Sequence, residues 1–165
     1  MAAEFQVNLN GADELDDGLL RLVAKLRDLR TTWPLVATVF HKSMRQQFSS
    51  QGAYGSGSWA PLSPAYGAWK ERKHPGLPIM ELSGRLGDSL MDAFGNADST
   101  YEATEDTLRI GTKTPYARFH QYGTGRMPAR PLIALTEADK AEIVKIVRDS
   151  FANEATELGF RVVTR

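Results

Sequence analysis

The chain contains no cysteine, which removes disulfides, thiolate metal sites and cysteine nucleophiles at once. Histidine is scarce: only His41, His74 and His120 occur in 165 residues, and none is followed three or four residues later by a second ligand in a metal-binding pattern. An excess of charge is missing as well, because twenty Lys and Arg balance twenty Asp and Glu. No global positive field draws a nucleic-acid backbone, and no net repulsion keeps copies of the chain apart. No run approaches the roughly 20 apolar residues of a membrane span. The opening MAAEFQVNLNG lacks the basic start and apolar stretch of a signal peptide. These absences lead us to expect a soluble protein made in the cytoplasm, with no cofactor and no membrane partner.

What is present is ordinary globular material. Hydrophobic residues make up 42% and charged residues 24%, so the chain can bury a core, and its length suits one domain over residues 1–165. Phe5, Val7 and Leu9 alternate with polar residues and predict a short first strand ended by Asn10-Gly11. From Asp13 to Arg30, Leu15, Leu19, Leu22, Val23, Leu26 and Leu29 recur at spacings of three and four, with acids early and bases late, which predicts an amphipathic helix. That stripe has to face a core or a partner. Pro34 starts a second helix carrying Val36, Val39, Phe40, Ser43 and Met44 to about Phe48.

Residues 49–78 read differently. SSQGAYGSGSWAPLSP is rich in glycine, serine and proline, and Lys73-His74-Pro75-Gly76 ends a short polar helix over Ala65 to Arg72. The expectation is a long excursion from the core, carrying Tyr54, Trp59, Leu62, Tyr66 and Trp69 as apolar anchors that need a surface to pack on. Leu82, Leu86, Leu90 and Phe94 then predict a third helix capped by Ser83 and ended by Gly95-Asn96. Tyr101 and Ala103 with Leu108 and Ile110 predict a hairpin around Glu105-Asp106. Thr114-Pro115 begins a short helix to Gln121, and residues 123–131 should be extended. Glu137 to about Leu158 forms the last helix, with Ile143, Ile146, Val147 and Phe151 inward, before a tail strand over Phe160 to Val163. Strands interrupted by helices without a regular alternation imply an α+β fold, a small antiparallel or mixed sheet packed with amphipathic helices.

Chemistry is hard to find. No G-x-S-x-G occurs, and neither GSGS nor GTG stands in the strand–loop–helix context of a phosphate cradle. Lys70, Arg72 and Lys73 beside Trp69 form a small basic-aromatic patch, most simply a solvated helix face. Tyr116, Phe119 and His120 lie three and four apart on one predicted helical face, suited to a groove. Gly123 and Gly125 permit a sharp turn, and Pro128 and Pro131 stiffen the segment from which Arg130 is expected to project toward a fixed polar interface. This is the pattern of a docking arm rather than of a catalytic site.

The stretch Tyr116-Ala117-Arg118-Phe119-His120-Gln121-Tyr122-Gly123, followed by Met127-Pro128-Ala129-Arg130-Pro131-Leu132-Ile133, resembles the phage virion morphogenesis family of tail-completion proteins. Upstream, Trp59-Ala60-Pro61-Leu62-Ser63, then Lys70, then Met80-Glu81-Leu82-Ser83-Gly84-Arg85-Leu86 resemble the family's other blocks in the same order. The resemblance spans about residues 48–135. It implies a non-catalytic structural protein of the virion, assembled in the host cytoplasm into a ring expected to be six-fold. The ring would sit in the neck at the head–tail junction, completing the tail and joining it to the head connector. Its implied neighbours are the connector or stopper, the tail terminator and the tail tube, with DNA passing nearby in the channel. The expected intersubunit or docking contacts are Tyr54, Trp59, Leu62, Trp69, Tyr116, Phe119, His120 and Arg130. A tail terminator or connector-stopper subunit is the nearest alternative, and a DNA-contacting module built on the Trp69 to Lys73 patch is the alternative from another class.

Overall fold

Val36, Phe40, Met44 and Phe48 follow one another at four-residue steps, so a helix through them presents one continuous apolar edge. In the computed structural model, which describes residues 12–92 and 96–159, that helix is the centre of the fold. The elements in order are α1 (Ala12–Arg27), α2 (Trp33–Ser49), α3 (Pro64–Lys73), α4 (Arg85–Met91), β1 (Ser99–Ala103), β2 (Leu108–Thr112), α5 (Ala117–Tyr122) and α6 (Glu137–Glu157). Strands β1 and β2 pair antiparallel, with Tyr101 opposite Ile110. Among the described residues the sheet is this single hairpin, and the fold is α+β as expected. The strand expected at Phe5 to Leu9, the tail strand at Phe160 to Val163, and Phe94 and Gly95 lie outside the described residues.

The core joins Phe40, Met44 and Phe48 of α2 to Trp59, Leu86, Leu90, Ala117 and Leu132. Each of the larger of these side chains contributes about 1.5–3 kcal/mol by leaving water. Polar ties fix the hairpin to the helices. The Trp33 indole donates to the Thr104 carbonyl at 2.7 Å, and the Ser99 hydroxyl donates to the carbonyls of Ser89 and Asp92 at 2.7 and 2.8 Å. Helix α6 starts with a capping box in which Thr136 and Asp139 bond each other's backbone N–H groups, the reciprocal satisfaction of two otherwise unpaired donors. Asp139 is also the anchor for Ser43 and Tyr54, whose hydroxyls donate to it at 3.1 and 2.8 Å. Burial pushes the Asp139 carboxyl up, but the hydrogen bonds from Thr136, Tyr54 and Ser43 together outweigh it and hold the group below its ordinary value.

Two boundaries differ from expectation. Helix α1 stops at Arg27 because the Asp28 carboxylate accepts from the Arg30 backbone N–H at 3.1 Å and from its guanidinium, a local turn that competes with the helix. Helix α4 begins only at Arg85, and its N-cap is Gly84 with φ 77° rather than Ser83. Leu82 therefore precedes the helix and remains 44% exposed.

The larger correction concerns residues 49–78. Their first part is a hydrogen-bonded turn seated on the core of its own chain, not an excursion. Gln47, fully buried, accepts from the Gly55 N–H at 2.9 Å and donates to Ser56 at 2.6 Å. Gly52 adopts φ 91°, and a Cβ there would lie 2.4 Å from the Trp59 ring, so the turn closes over the indole only with glycine. Trp59 is 5% exposed and meets Phe48 edge-to-face with ring centroids 5.4 Å apart. It is a core residue and not a free anchor. Trp59→Ala should therefore cost about 3–5 kcal/mol and lower the melting temperature by roughly 10 °C, as read by circular dichroism. An unchanged melting curve would contradict the core placement.

Candidate functional site

Five separate segments converge on one groove of about 690 Å³. Its walls are Pro61 to Ser63, the Tyr66 and Lys70 side of α3, residues 80–86, Tyr116 with His120, and the stretch from Arg126 to Arg130. The volume falls in the usual 300–1,000 Å³ range of ligand sites. Leu62, Met80, Leu82, Leu86 and Met127 give it an apolar lining, along which stand Lys70, Arg126, Arg130, the Glu81 carboxylate and Arg85, the last paired at 2.7 Å with Asp98 outside the lining.

Local chemistry explains how the walls stand. Met80 lies at φ 72°, a left-handed backbone uncommon for a side-chain-bearing residue and worth about 1–3 kcal/mol of strain; its side chain packs against the core, which holds it there. Gly123 turns the chain at φ 73°, ψ −178°, and a Cβ there would lie 2.8 Å from the Ala129 nitrogen and 2.9 Å from the Met127 carbonyl oxygen. Only glycine fits. Gly125, by contrast, has open space around it and no positive φ. The segment after Gly123 was expected to be extended, but Thr124 and Met127 exchange backbone hydrogen bonds at 2.8 and 3.2 Å. The result is a tight turn with exposed Arg126 near its tip.

Arg130 is 4% exposed. Its guanidinium donates to the Ala60 and Pro61 carbonyls at 2.7 and 2.8 Å, and its backbone N–H donates to the His120 carbonyl at 2.7 Å. Rather than projecting to another subunit, it clamps two parts of its own chain. The reason is geometric: a planar fork matches two successive carbonyls. Lys70, 5% exposed, donates to the Pro78 carbonyl; burial lowers its pKa, against the opposing pull of Glu81. His120 faces Tyr116 edge-on at 6.0 Å, its Nδ1 is buried without a hydrogen-bond partner among the described residues, and burial followed by the Arg130 charge pushes its pKa below the ordinary value.

The phage virion morphogenesis family matches residues 11–152. The chain belongs to that family. A relative from Haemophilus influenzae, the Mu-like prophage FluMu G protein 2, is 27% identical over 155 residues, covering 89% of this chain and 96% of its own length. No solved structure matches the chain. For a member of this family the groove has a notable make-up: the segments through which the sequence resembles the family, around Trp59 to Ser63, Lys70, Met80 to Leu86 and Tyr116 to Arg130, are the ones that form or buttress its walls.

The expected contact residues divide by position. Leu62, Tyr116 and His120 line the groove. Trp69, 36% exposed, stacks on Tyr66 at 5.3 Å and does not line the groove. Phe119 is 42% exposed and lies away from the groove, with the Arg118 guanidinium 4.6 Å over its ring. At about 100° per helical residue, 120 lies about 40° to one side of 116 and 119 about 60° to the other, so Phe119 and His120 face about 100° apart. Tyr54, Trp59 and Arg130 are tied inside the subunit. The basic patch beside Trp69 loses Lys70 to the interior. Met80 and Arg126 were not singled out as contacts, because neither a strained backbone nor an apex position has a signature in spacing alone.

Arg130→Ala leaves two carbonyls without their donor and should destabilise the subunit itself by about 2–4 kcal/mol, measured by denaturant unfolding; unaltered stability would show that the clamp is idle. For His120, a folded-state pKa below the unfolded value means that the stability it supports is complete above about pH 6.5 and is lost as pH falls through the folded pKa. His120→Gln should flatten the decline of stability as pH falls below about 6.5. A decline of equal steepness in both proteins would refute this assignment.

Proposed function

We propose that this phage virion protein acts by forming a closed ring, expected to be six-fold, at the head–tail junction, where it completes the tail and joins it to the head connector. The subunit is assembled in the host cytoplasm and ends in the neck, between the connector or stopper on one side and the tail terminator or tail tube on the other. Its work is geometric. A cyclic ring needs two different surfaces on each subunit that fit each other, and it closes when the rotation between neighbours repeats to a full turn.

The observation that carries this reading is the pairing of an indented apolar surface, the groove, with large apolar side chains left at the surface elsewhere, Leu19, Leu20 and Val23 of α1 among them. Exposed apolar area of this kind marks contact surfaces. Family membership supports the virion setting. The test is the mass of the purified protein in solution, alone and mixed with tail tubes, by light scattering. A closed oligomer in either sample is expected. A monomer in both, with no binding to tubes, would overturn the proposal.

A further inference from the structure

Helix α1 is amphipathic yet largely uncovered. Leu19, Leu20 and Val23 are 43%, 67% and 44% exposed, although the helix touches α6. Positions 17, 20 and 23 follow at three-residue steps along one side, so exposed Asp17 stands beside the apolar pair. The sequence of α1 opens with four acids, at 13, 14, 16 and 17, before its first base at Arg21. The groove has the opposite character. It is concave and apolar; of the four cations along its lining, Arg85 is paired with Asp98 and Lys70 and Arg130 are bonded to backbone carbonyls, which leaves the Arg126 side chain at the rim, with no hydrogen bond or ion pair among the described residues, to meet an acid.

We propose that the groove receives α1 from a second copy of this chain. The inference rests on the ring reading and specifies its contact. Leu20 and Val23 enter between Leu82 and Met127, and Asp17 meets Arg126 at the rim. A helix of 16 residues is about 24 Å long, too large to be swallowed by the groove, so it lies along the rim and inserts side chains at helical spacing, as other helices do in hydrophobic grooves. The complementarity is of both kinds, apolar ridge to apolar cleft and acid to base. Because α1 and the groove are different surfaces, each subunit offers one and receives one. That is the heterologous contact from which rings are built.

The absence of cysteine makes the test clean. One chain carries Leu20→Cys and another Leu82→Cys; each is purified, and the two are mixed and oxidised while light scattering follows the mass. A disulfide-linked pair on mixing, absent from either chain alone, is expected. In a second arm, Arg126→Glu and Asp17→Arg should each weaken association by about tenfold, and the double reversal should restore it, as for a charge pair across an interface. Rings that form without the cross-link and without rescue would overturn this contact while leaving the ring reading intact. A cross-link between two Leu20→Cys chains would likewise overturn it, in favour of α1 packing on itself. A protein that never associates, either alone or in the presence of tail tubes, would overturn both.

Discussion

The carbonyls of Ala60, Pro61 and Pro131 are joined to the rest of the chain by side chains, and much of the subunit depends on that substitution. Proline has no N–H to give to a strand ladder. The Trp59 to Pro61 and Arg130 to Pro131 segments, some 70 residues apart in sequence, are held instead by a reciprocal clamp. The Trp59 indole donates to the Pro131 carbonyl at 2.9 Å, and the Arg130 guanidinium donates back to Ala60 and Pro61. Gln47 reaches the same Pro131 carbonyl at 2.9 Å from α2. Buried carbonyls left without donors are costly, so the clamp stabilises the approach of both segments.

The groove follows from the clamp. With Pro61 and Arg130 fixed against each other, Leu62 and Ser63 lead into α3 on one wall, while Gly123 and the turn at Thr124 to Met127 raise the other. Lys70 is drawn inward to cap the Pro78 carbonyl, and Gln121 secures the return of the arm by accepting from the N–H groups of Leu132 and Ile133 at 2.8 and 3.0 Å. Two cations are thereby buried with carbonyl partners. Their charges remain only partly compensated beside a cleft, which makes an acidic visitor favourable. The buried Nδ1 of His120 has an aromatic ring and a guanidinium for neighbours.

Local pattern was enough for the helices. The four-residue steps of Val36 to Phe48, the alternation around Tyr101 and Ile110, and the spacing of Ile143, Ile146, Val147 and Phe151 place α2, the hairpin and α6 nearly where they lie, because periodicity is a property of nearby residues. The ordered blocks from Trp59 to Ile133 were likewise legible as a family resemblance. Residues 49–78 were harder. Glycine and serine content reads as looseness, yet Gln47 and Trp59 convert that composition into a fixed turn by hydrogen bonds that spacing cannot reveal.

What the sequence determined by itself was therefore the identity and amphipathic character of the helices, the absence of thiol chemistry and the family. Tertiary structure alone decided that Trp59, Lys70 and Arg130 turn inward, that Phe119 stays outside the groove that Tyr116 and His120 line, and that five distant segments enclose one groove. The division has a physical cause. Helix formation is governed by neighbours within about four residues, whereas the burial of an indole or a guanidinium depends on which carbonyls arrive from the far side of the chain.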